Sequence, residues 1–173
     1  WEFRYPRVDA MRDAALVAAR DEGFSHVLFL DADMVFPTDV LTRMLAHHDK
    51  GIVGGLYVLK GPPYSPVALI DPFTPEGSQT TQYYHAHDAT KAESKALMPV
   101  DALGGGCHFI DIEVFDKIKE PHWWPYPHEE CFLPDEYFGL DVHFCMKMRE
   151  HGIQPWLHPG VHLGHVAAHR VVV

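Results

Sequence analysis

The sequence predicts an α/β domain, built as an open sheet with flanking helices. Helical and strand patterns alternate at short spacing between residues 9 and 59, and the segment 27–30 is continuously apolar. A run of this kind is typical of a strand that is covered on both faces of a parallel sheet. Because a β-α-β alternation is typical of a right-handed crossover, we expect the strands at 27–30 and 51–59 to run parallel in one sheet.

Length and composition indicate a single domain that spans residues 1–173. The 173 residues are 47% hydrophobic and 12% aromatic, which is enough for one sizeable core. No apolar run approaches the roughly 18 residues of a membrane helix, and the first residues are too charged for a signal peptide. We therefore expect a cytoplasmic protein without a transmembrane segment. The three cysteines are not spaced as a CxxC pair, so the sequence indicates neither a disulfide framework nor a zinc knuckle.

The net charge argues against a nucleic-acid partner and is compatible with an anionic substrate. A formal charge of −10 argues against binding to a nucleic-acid backbone, because that affinity comes from lysine and arginine. An acidic protein can still hold an anionic substrate through a bound cation. The composition therefore permits an enzyme that binds phosphate through a metal.

The first half of the chain gives the clearest elements. A helix is predicted over 9–22, with apolar residues at helical spacing and Gly23 as its C-terminal cap. The strand 27–30 follows, and a second helix over about 38–48 begins with a proline and an acid in its first turn. The strand 51–59 completes the unit.

The second half contains more irregular segments. A short strand is predicted at 67–70, and the polar stretch 71–96 reads as a loop or a small hairpin. Two short strands then surround three consecutive glycines, and residues 111–118 form a short helix. A connector rich in proline and tryptophan leads to a helix over 140–151, closed by Gly152, and a last strand. Long connectors inside a compact domain are usually functional or mobile.

Two carboxylates interrupt the hydrophobic pattern directly after the strand 27–30. Asp31 and Asp33 stand at its carboxyl end, where ligands bind in open α/β sheets. Alternate residues of an extended segment point to opposite sides, so one carboxylate would face a cation and the other a ligand hydroxyl. Oxygen ligands favour Mg²⁺ or Mn²⁺, which bridge to substrate phosphates. The alternative is ordinary turn chemistry before a helix.

Three segments, 26–66, 100–118 and 137–165, resemble the GT-A glycosyltransferases, in particular the large inverting, family 2-like bacterial and phage group. The three segments stand along the chain in the family's order. The resemblance implies transfer of a sugar from a nucleotide-diphosphate donor, a UDP- or GDP-sugar, to an acceptor hydroxyl, with inversion. The acceptor would be a glycan, a lipid or a small molecule, and the cofactor Mn²⁺ or Mg²⁺.

The resemblance also implies the metal site. The family's D-x-D motif holds the cation against the donor diphosphate, which assigns the metal to Asp33. Asp31 would contact the metal, or the ribose or sugar of the donor. The family's Gly-His motif is similar to Gly164-His165, so His165 would complete the metal site, with His158 and His162 as rivals. The alternative for His165 is a loop histidine without this role.

The general base is implied by a third motif. The family's Gly-Glu-Asp helix start is similar to Gly139-Leu140-Asp141, with a leucine in place of the glutamate. Asp141 would be the base, in a first helical turn where the helix dipole favours negative charge. Because the motif is altered, Asp135 and Glu136 remain alternative bases, and Glu136 is also a candidate substrate contact.

The remaining candidates have two interpretations each. Gly105 and Gly106 would let the backbone approach the donor sugar and acceptor, or they form a tight turn. Trp124, with Trp123, would offer a flat face to a sugar ring, or anchors the connector. Arg12 matches an arginine that lies near the nucleotide in relatives, or is an exposed helix arginine.

The chain also departs from the family. A complete GT-A domain begins with a strand, a helix and a second strand, whereas one helix precedes Val27, so we expect a truncated or minimal domain. Two other functions stay open. A nucleotidyltransferase would need a basic phosphate loop near the N-terminus, which this chain lacks. A non-catalytic remnant of a GT-A domain would bind a metal or nucleotide-sugar without turnover.

Overall fold

The structure, a computed structural model, describes residues 5–61, 64, 66–70, 82–83, 96–118, 122–123, 140–167 and 170–172. Its helices are α1 (Tyr5–Asp21), α2 (Val40–Leu45), α3 (Val114–Lys117) and α4 (Leu140–Glu150). Its strands are β1 (His26–Leu30), β2 (Met34–Val35), β3 (Ile52–Leu56), β4 (Ala68–Ile70), β5 (Gln82–Tyr83), β6 (Met98–Pro99), β7 (Ala102–Leu103), β8 (Cys107–Asp111), β9 (Pro155–His162), β10 (Gly164–Ala167) and β11 (Arg170–Val172). The architecture is a mixed central sheet with flanking helices.

The central sheet has the strand order β1-β8-β3-β9-β6. Strand β8 is antiparallel to both β1 and β3, whereas β3 and β9 are parallel. The two strands that were predicted to run parallel in one sheet, β1 and β3, do lie in one sheet, and that sheet is mixed. β1 and β3 do run in one direction, but β8 is inserted between them. Alternating elements in the first half of the chain could not predict a partner strand that comes from residues 107–111.

Strand β1 is less buried than its apolar sequence predicts. All five of its residues are half-buried. Within the described part of the chain β1 pairs with β8 alone and stands at the edge of the central sheet. An edge position leaves apolar side chains partly open to solvent, which explains the difference from the predicted central strand.

The central sheet is packed on both faces, as alternation of side chains along strands requires. One face contributes Ile52, Ile110 and Leu157 to a core shared with α1, α3 and α4. The other face contributes Val53 and Phe109 to a core shared with α2. No helix within the described residues is both long and apolar enough to cross a membrane.

Two predicted helix ends are confirmed in detail. Gly23 and Gly152 adopt positive φ angles of 75° and 74°, in the left-handed region that glycine adopts without steric cost. After α1, the N–H of Phe24 bonds to the carbonyl of Ala19; after α4, the N–H of Ile153 bonds to that of Met148. These are Schellman caps, which satisfy carbonyls at the end of a helix.

Two small sheets complete the fold, with the orders β11-β10-β2 and β5-β4-β7. In the first, β2 pairs with β10, and Met34 lies opposite His165. In the second, β5 falls within the predicted loop 71–96 and pairs with β4, as the hairpin interpretation of that stretch expects. Most of that loop and most of the connector before α4 lie outside the described residues.

Candidate functional site

The directions of the strands bring several segments to one end of the central sheet. β1, β3 and β9 point the same way, so Asp31, Lys60 and His165, which follow these strands, come to the same end. Because β8 runs the opposite way, Gly105 and Gly106, which precede it, come to this end too. The carboxyl ends of strands are where ligands bind in such sheets.

Backbone hydrogen bonds fix the turn that carries the two carboxylates. The N–H of Met34 bonds to the carbonyl of Asp31 at 3.1 Å and closes the turn. The N–H of Asp31 bonds to the carbonyl of Gly106 at 3.1 Å, and that of Val166 bonds to the carbonyl of Asp33 at 2.8 Å. The turn is thus held on one side by Gly105 and Gly106, the glycine segment, and on the other side by β10.

The carboxylate of Asp33 lies beside two basic side chains, those of Lys60 and His165. Its carboxylate is ion-paired with the ammonium of Lys60, and its Oδ2 lies 3.8 Å from Nε2 of His165. The hydrogen bond from Lys60 holds the pKa of Asp33 below its ordinary value. Asp33 is therefore a charged acceptor at neutral pH, and its side chain is 41% exposed and open to ligands.

His165 is oriented by its other ring nitrogen. Nδ1 lies 2.9 Å from the carbonyl oxygen of Val58. Since a carbonyl only accepts, Nδ1 carries the proton in this bond, and in the neutral ring Nε2 has a free lone pair. Tyr57 packs against the ring edge-to-face, with centroids 5.5 Å apart. A backbone carbonyl that orients a histidine is typical of a metal ligand.

Asp141 reaches the same end of the sheet from the first turn of α4. Its Oδ2 accepts a hydrogen bond of 2.6 Å from the N–H of Gly105, and its Oδ1 accepts one of 3.0 Å from the N–H of Val142. These two bonds fix the plane of the carboxylate. They leave some of its roughly four lone-pair sites for another donor.

The glycine segment approaches protein side chains closely. A Cβ on Gly105 would lie 2.8 Å from Nη2 of Arg12 and 3.4 Å from Cβ of Asp141. A Cβ on Gly106 would lie 2.4 Å from Cε of Met34. The sequence left two interpretations open, a close approach of this backbone to a ligand and a tight turn. The structure places both glycines in a turn, packed against side chains that leave little room for a Cβ.

Arg12 is buried, so its interpretation as an exposed helix arginine is wrong. Its side chain is 10% exposed, and Nη2 lies 3.8 Å from Oδ1 of Asp31. The guanidinium lies over the ring of Trp123 at 4.7 Å and over that of Phe29 at 5.8 Å. Such cation–π contacts are attractive and hold the group in place.

Trp123 serves as an anchor rather than as a surface for a sugar. It is 1% exposed, and its ring stacks on Phe144 with centroids 4.1 Å apart. The alternative interpretation, a packed loop anchor, therefore applies to Trp123. Its neighbour Trp124 lies outside the described residues, as do Asp135 and Glu136, so their predicted roles stay predictions.

Asp31 lies at the electrostatic centre of the site. Burial raises the pKa of Asp31 above its ordinary value, the positive charge of Arg12 opposes this shift, and the charges of Asp33 and Asp141 reinforce it. His165 acts in the same direction as Arg12. The bonds of Asp31 to Gly106 and of Asp141 to Gly105 bring these carboxylates to one end of the sheet, and a concentration of negative charge attracts cations.

The donor atoms suit a divalent cation only if the substrate supplies further ligands. Within the described residues, no group of three or more His, Cys, Asp or Glu side chains is arranged to hold a metal. Asp33 and His165 provide one carboxylate and one imidazole side by side. Mg²⁺ and Mn²⁺ commonly use one or two protein carboxylates together with water and phosphate oxygens, so this partial set fits.

The rival histidines lie elsewhere. The ring of His158 packs edge-to-face on that of His47, with centroids 5.0 Å apart, and its Nδ1 accepts a hydrogen bond from Gly160. His162 is exposed at the end of β9. Of the three histidines considered, His165 is the one whose ring faces the carboxylates.

Sequence reasoning missed two residues of the site, Lys60 and Tyr57. Lys60 follows β3, so the strand-end rule that selected Asp31 could have selected it as well. Tyr57 is buried, and its hydroxyl accepts a hydrogen bond of 3.0 Å from Gly106. Burial raises the pKa of Tyr57, so this hydroxyl stays neutral. No signal in the sequence separates this tyrosine from an ordinary core residue.

Comparison with known proteins gives a likeness of fold. No protein-family model matches the chain, and no curated protein matches it. Among solved structures, the chain is similar to the crystal structure of A197 from STIV, with a TM-score of 0.58 and 18% sequence identity, covering 96% of this chain and 75% of that one. At this level of identity the likeness extends to the α/β architecture alone.

Proposed function

We propose that the protein is a metal-assisted glycosyltransferase of the GT-A type. It would move a sugar from a nucleotide-diphosphate donor to an acceptor hydroxyl, with inversion at the anomeric carbon. One observation carries the proposal: Asp31 and Asp33 follow β1 beside His165, and Asp141 is tied to the same end of the sheet by its hydrogen bond from Gly105, the neighbour of the Gly106 that bonds to Asp31. The fold supports it, since this is the end of the sheet where α/β proteins bind ligands.

The donor side of the site would be formed by Asp33 and His165. Asp33 presents an ionised carboxylate, and His165 presents Nε2 because its Nδ1 is committed to Val58. A bound Mn²⁺ or Mg²⁺ would neutralise charge on the leaving diphosphate. Asp31, half-exposed and 3.8 Å from Arg12, would contact the same cation or a hydroxyl of the donor.

The acceptor side would be formed by Asp141. Its carboxylate is oriented by Gly105 and Val142, and its remaining lone pairs would take the proton of the attacking hydroxyl. An inverting displacement needs the base and the leaving group on opposite sides of the sugar. Asp141 comes from α4 and Asp33 from the turn after β1, so the two carboxylates approach the substrate from separate elements.

The test is a calorimetric titration with UDP and GDP, each with and without Mn²⁺. We expect the wild-type protein to bind one nucleotide only when Mn²⁺ is present, and Asp33→Ala to lose that binding. Asp39→Ala is the matched control, because Asp39 is an exposed aspartate that is also ion-paired, with Arg43 on α2. Failure of the wild-type protein to bind either nucleotide would contradict the proposal.

A non-catalytic remnant is the second candidate, and the ion pair between Lys60 and Asp33 favours it. A lysine that neutralises this carboxylate competes with a divalent cation for the same oxygen. Release of UDP or GDP from a nucleotide-sugar, with water as the acceptor, separates the two candidates. A transferase should turn over slowly in this assay, and a remnant should not.

A further inference from the structure

Lys60 belongs to a short loop that is closed at its base. An isolated antiparallel bridge joins Val58 to Pro66, and the N–H of Tyr64 bonds to the carbonyl of Gly61 at 2.9 Å. The side chain of Lys60 is 48% exposed, and its ammonium is bonded to Oδ2 of Asp33. The loop therefore places an exposed cation on the carboxylate that the proposed function assigns to the metal.

We propose that Lys60 is an exchangeable counter-ion of Asp33. In the ligand-free protein its ammonium holds the carboxylate, and when a divalent cation and the donor bind together the ammonium moves to the donor's diphosphate. This inference rests on the proposed function. It adds an order of binding. The divalent cation binds weakly on its own and more tightly together with a nucleoside diphosphate.

The geometry supports exchange because a single oxygen has two competing partners. Oδ2 of Asp33 bonds to Lys60 and lies 3.8 Å from Nε2 of His165, so a cation between Asp33 and His165 would displace the ammonium. The ammonium would then lie near a doubly charged ion, which repels it. A diphosphate beside the cation offers the ammonium new acceptors, and lysine is a common phosphate ligand.

The two cations of the site are held in different ways. Arg12, the other cation of the site, is held by Trp123 and Phe29 and pairs with Asp31. The two cations thus differ in kind, since Arg12 is buried and fixed whereas Lys60 is exposed and on a flexible four-carbon side chain. Lys60 is therefore the group that can move.

The test measures Mn²⁺ binding without nucleotide, by electron paramagnetic resonance of free Mn²⁺. We expect Lys60→Met to bind Mn²⁺ about 5-fold more tightly than the wild-type protein, because the competing charge is gone. Lys60→Arg keeps the charge and should match the wild-type protein. Lys50→Met is the matched control, because Lys50 forms an equivalent exposed ion pair with Asp49.

The second measurement repeats the titrations with UDP and GDP at saturating Mn²⁺. Here Lys60→Met should bind the nucleotide about 5-fold more weakly, the opposite sign to its effect on Mn²⁺ alone. Unchanged Mn²⁺ affinity, or unchanged nucleotide affinity, would overturn the exchange. These results are distinct from failure of the proposed function, which is a wild-type protein that binds neither nucleotide under any condition.

Discussion

The N–H of Gly105 donates a hydrogen bond of 2.6 Å to Oδ2 of Asp141, although the two residues are 36 positions apart in the chain. The next glycine, Gly106, accepts a bond from the N–H of Asp31 through its carbonyl. Two adjacent residues therefore connect the proposed base to the turn that carries Asp31 and Asp33. The glycine segment fixes the relative positions of the two halves of the site.

Gly105→Ala should disrupt this connection. The added Cβ would meet Nη2 of Arg12 at 2.8 Å, so the guanidinium must shift, whereas Cβ of Asp141 at 3.4 Å is in ordinary contact. We expect a loss of about 1–3 kcal/mol in the free energy of unfolding, measured by urea denaturation. Gly61→Ala is the control, because no atom lies within 4 Å of its added Cβ. Equal stability of the two variants would contradict the role of Gly105.

Arg12→Ala should be clearly destabilising, in contrast to a second arginine of the same helix. The guanidinium of Arg12 is buried over Trp123, and its loss removes packing, a cation–π contact and the positive charge beside Asp31. We expect a loss of about 2 kcal/mol in the free energy of unfolding. Arg20→Ala removes an exposed ion pair with Asp116 and should cost less than about 1 kcal/mol. A similar loss in both variants would show that Arg12 is an ordinary surface residue.

Local patterns were sufficient for some parts of the fold and insufficient for others. The caps at Gly23 and Gly152 were predictable because a helix end is determined by residues close in sequence. The insertion of β8 between β1 and β3 was not, since it depends on a pairing such as His26 with Asp111. Local patterning does not contain that choice of partner.

The same distinction applies to the site. Asp31 and Asp33 were identified from the residues themselves, because two acids after an apolar strand stand where ligands bind. Asp141 and His165 were identified from the family resemblance alone. Lys60 stands at a predicted strand end and could have been selected by the same rule, but its pairing with Asp33 depends on the folded sheet that brings two strand ends together.

Asp31→Asn should stabilise the protein at neutral pH. The folded pKa of Asp31 is raised above its ordinary value of 3.8, chiefly by burial, so the ionised carboxylate is less favourable in the folded state than in the unfolded state. The resulting loss of stability appears as the pH rises through the raised pKa, and it vanishes below about 3.8, where both states are protonated. Urea denaturation at pH 7 and pH 3 measures the difference between the variant and the wild-type protein. At each pH the stability of Asp31→Asn is compared with that of the wild-type protein. If this difference is less favourable to the variant at pH 7 than at pH 3, burial does not destabilise the ionised Asp31.

Asp141→Asn should abolish most of the proposed sugar transfer while leaving the proposed donor site intact. The amide removes the proton acceptor, so we expect the turnover of the nucleotide-sugar to fall by at least about 100-fold. Its oxygen can still accept one of the two bonds from Gly105 and Val142, which limits the structural cost to about 1 kcal/mol. Binding of the nucleotide with Mn²⁺ should be unchanged, because Asp33 and His165 are untouched.

Release of the nucleoside diphosphate measures this turnover, and calorimetry measures the binding. Asp116→Asn is the matched control, since Asp116 is an exposed aspartate that is ion-paired with Arg20. If Asp141→Asn keeps wild-type turnover, the base is another group. Asp135→Asn and Glu136→Gln then become the decisive variants, because these are the other acids that the altered helix-start motif allows as the base.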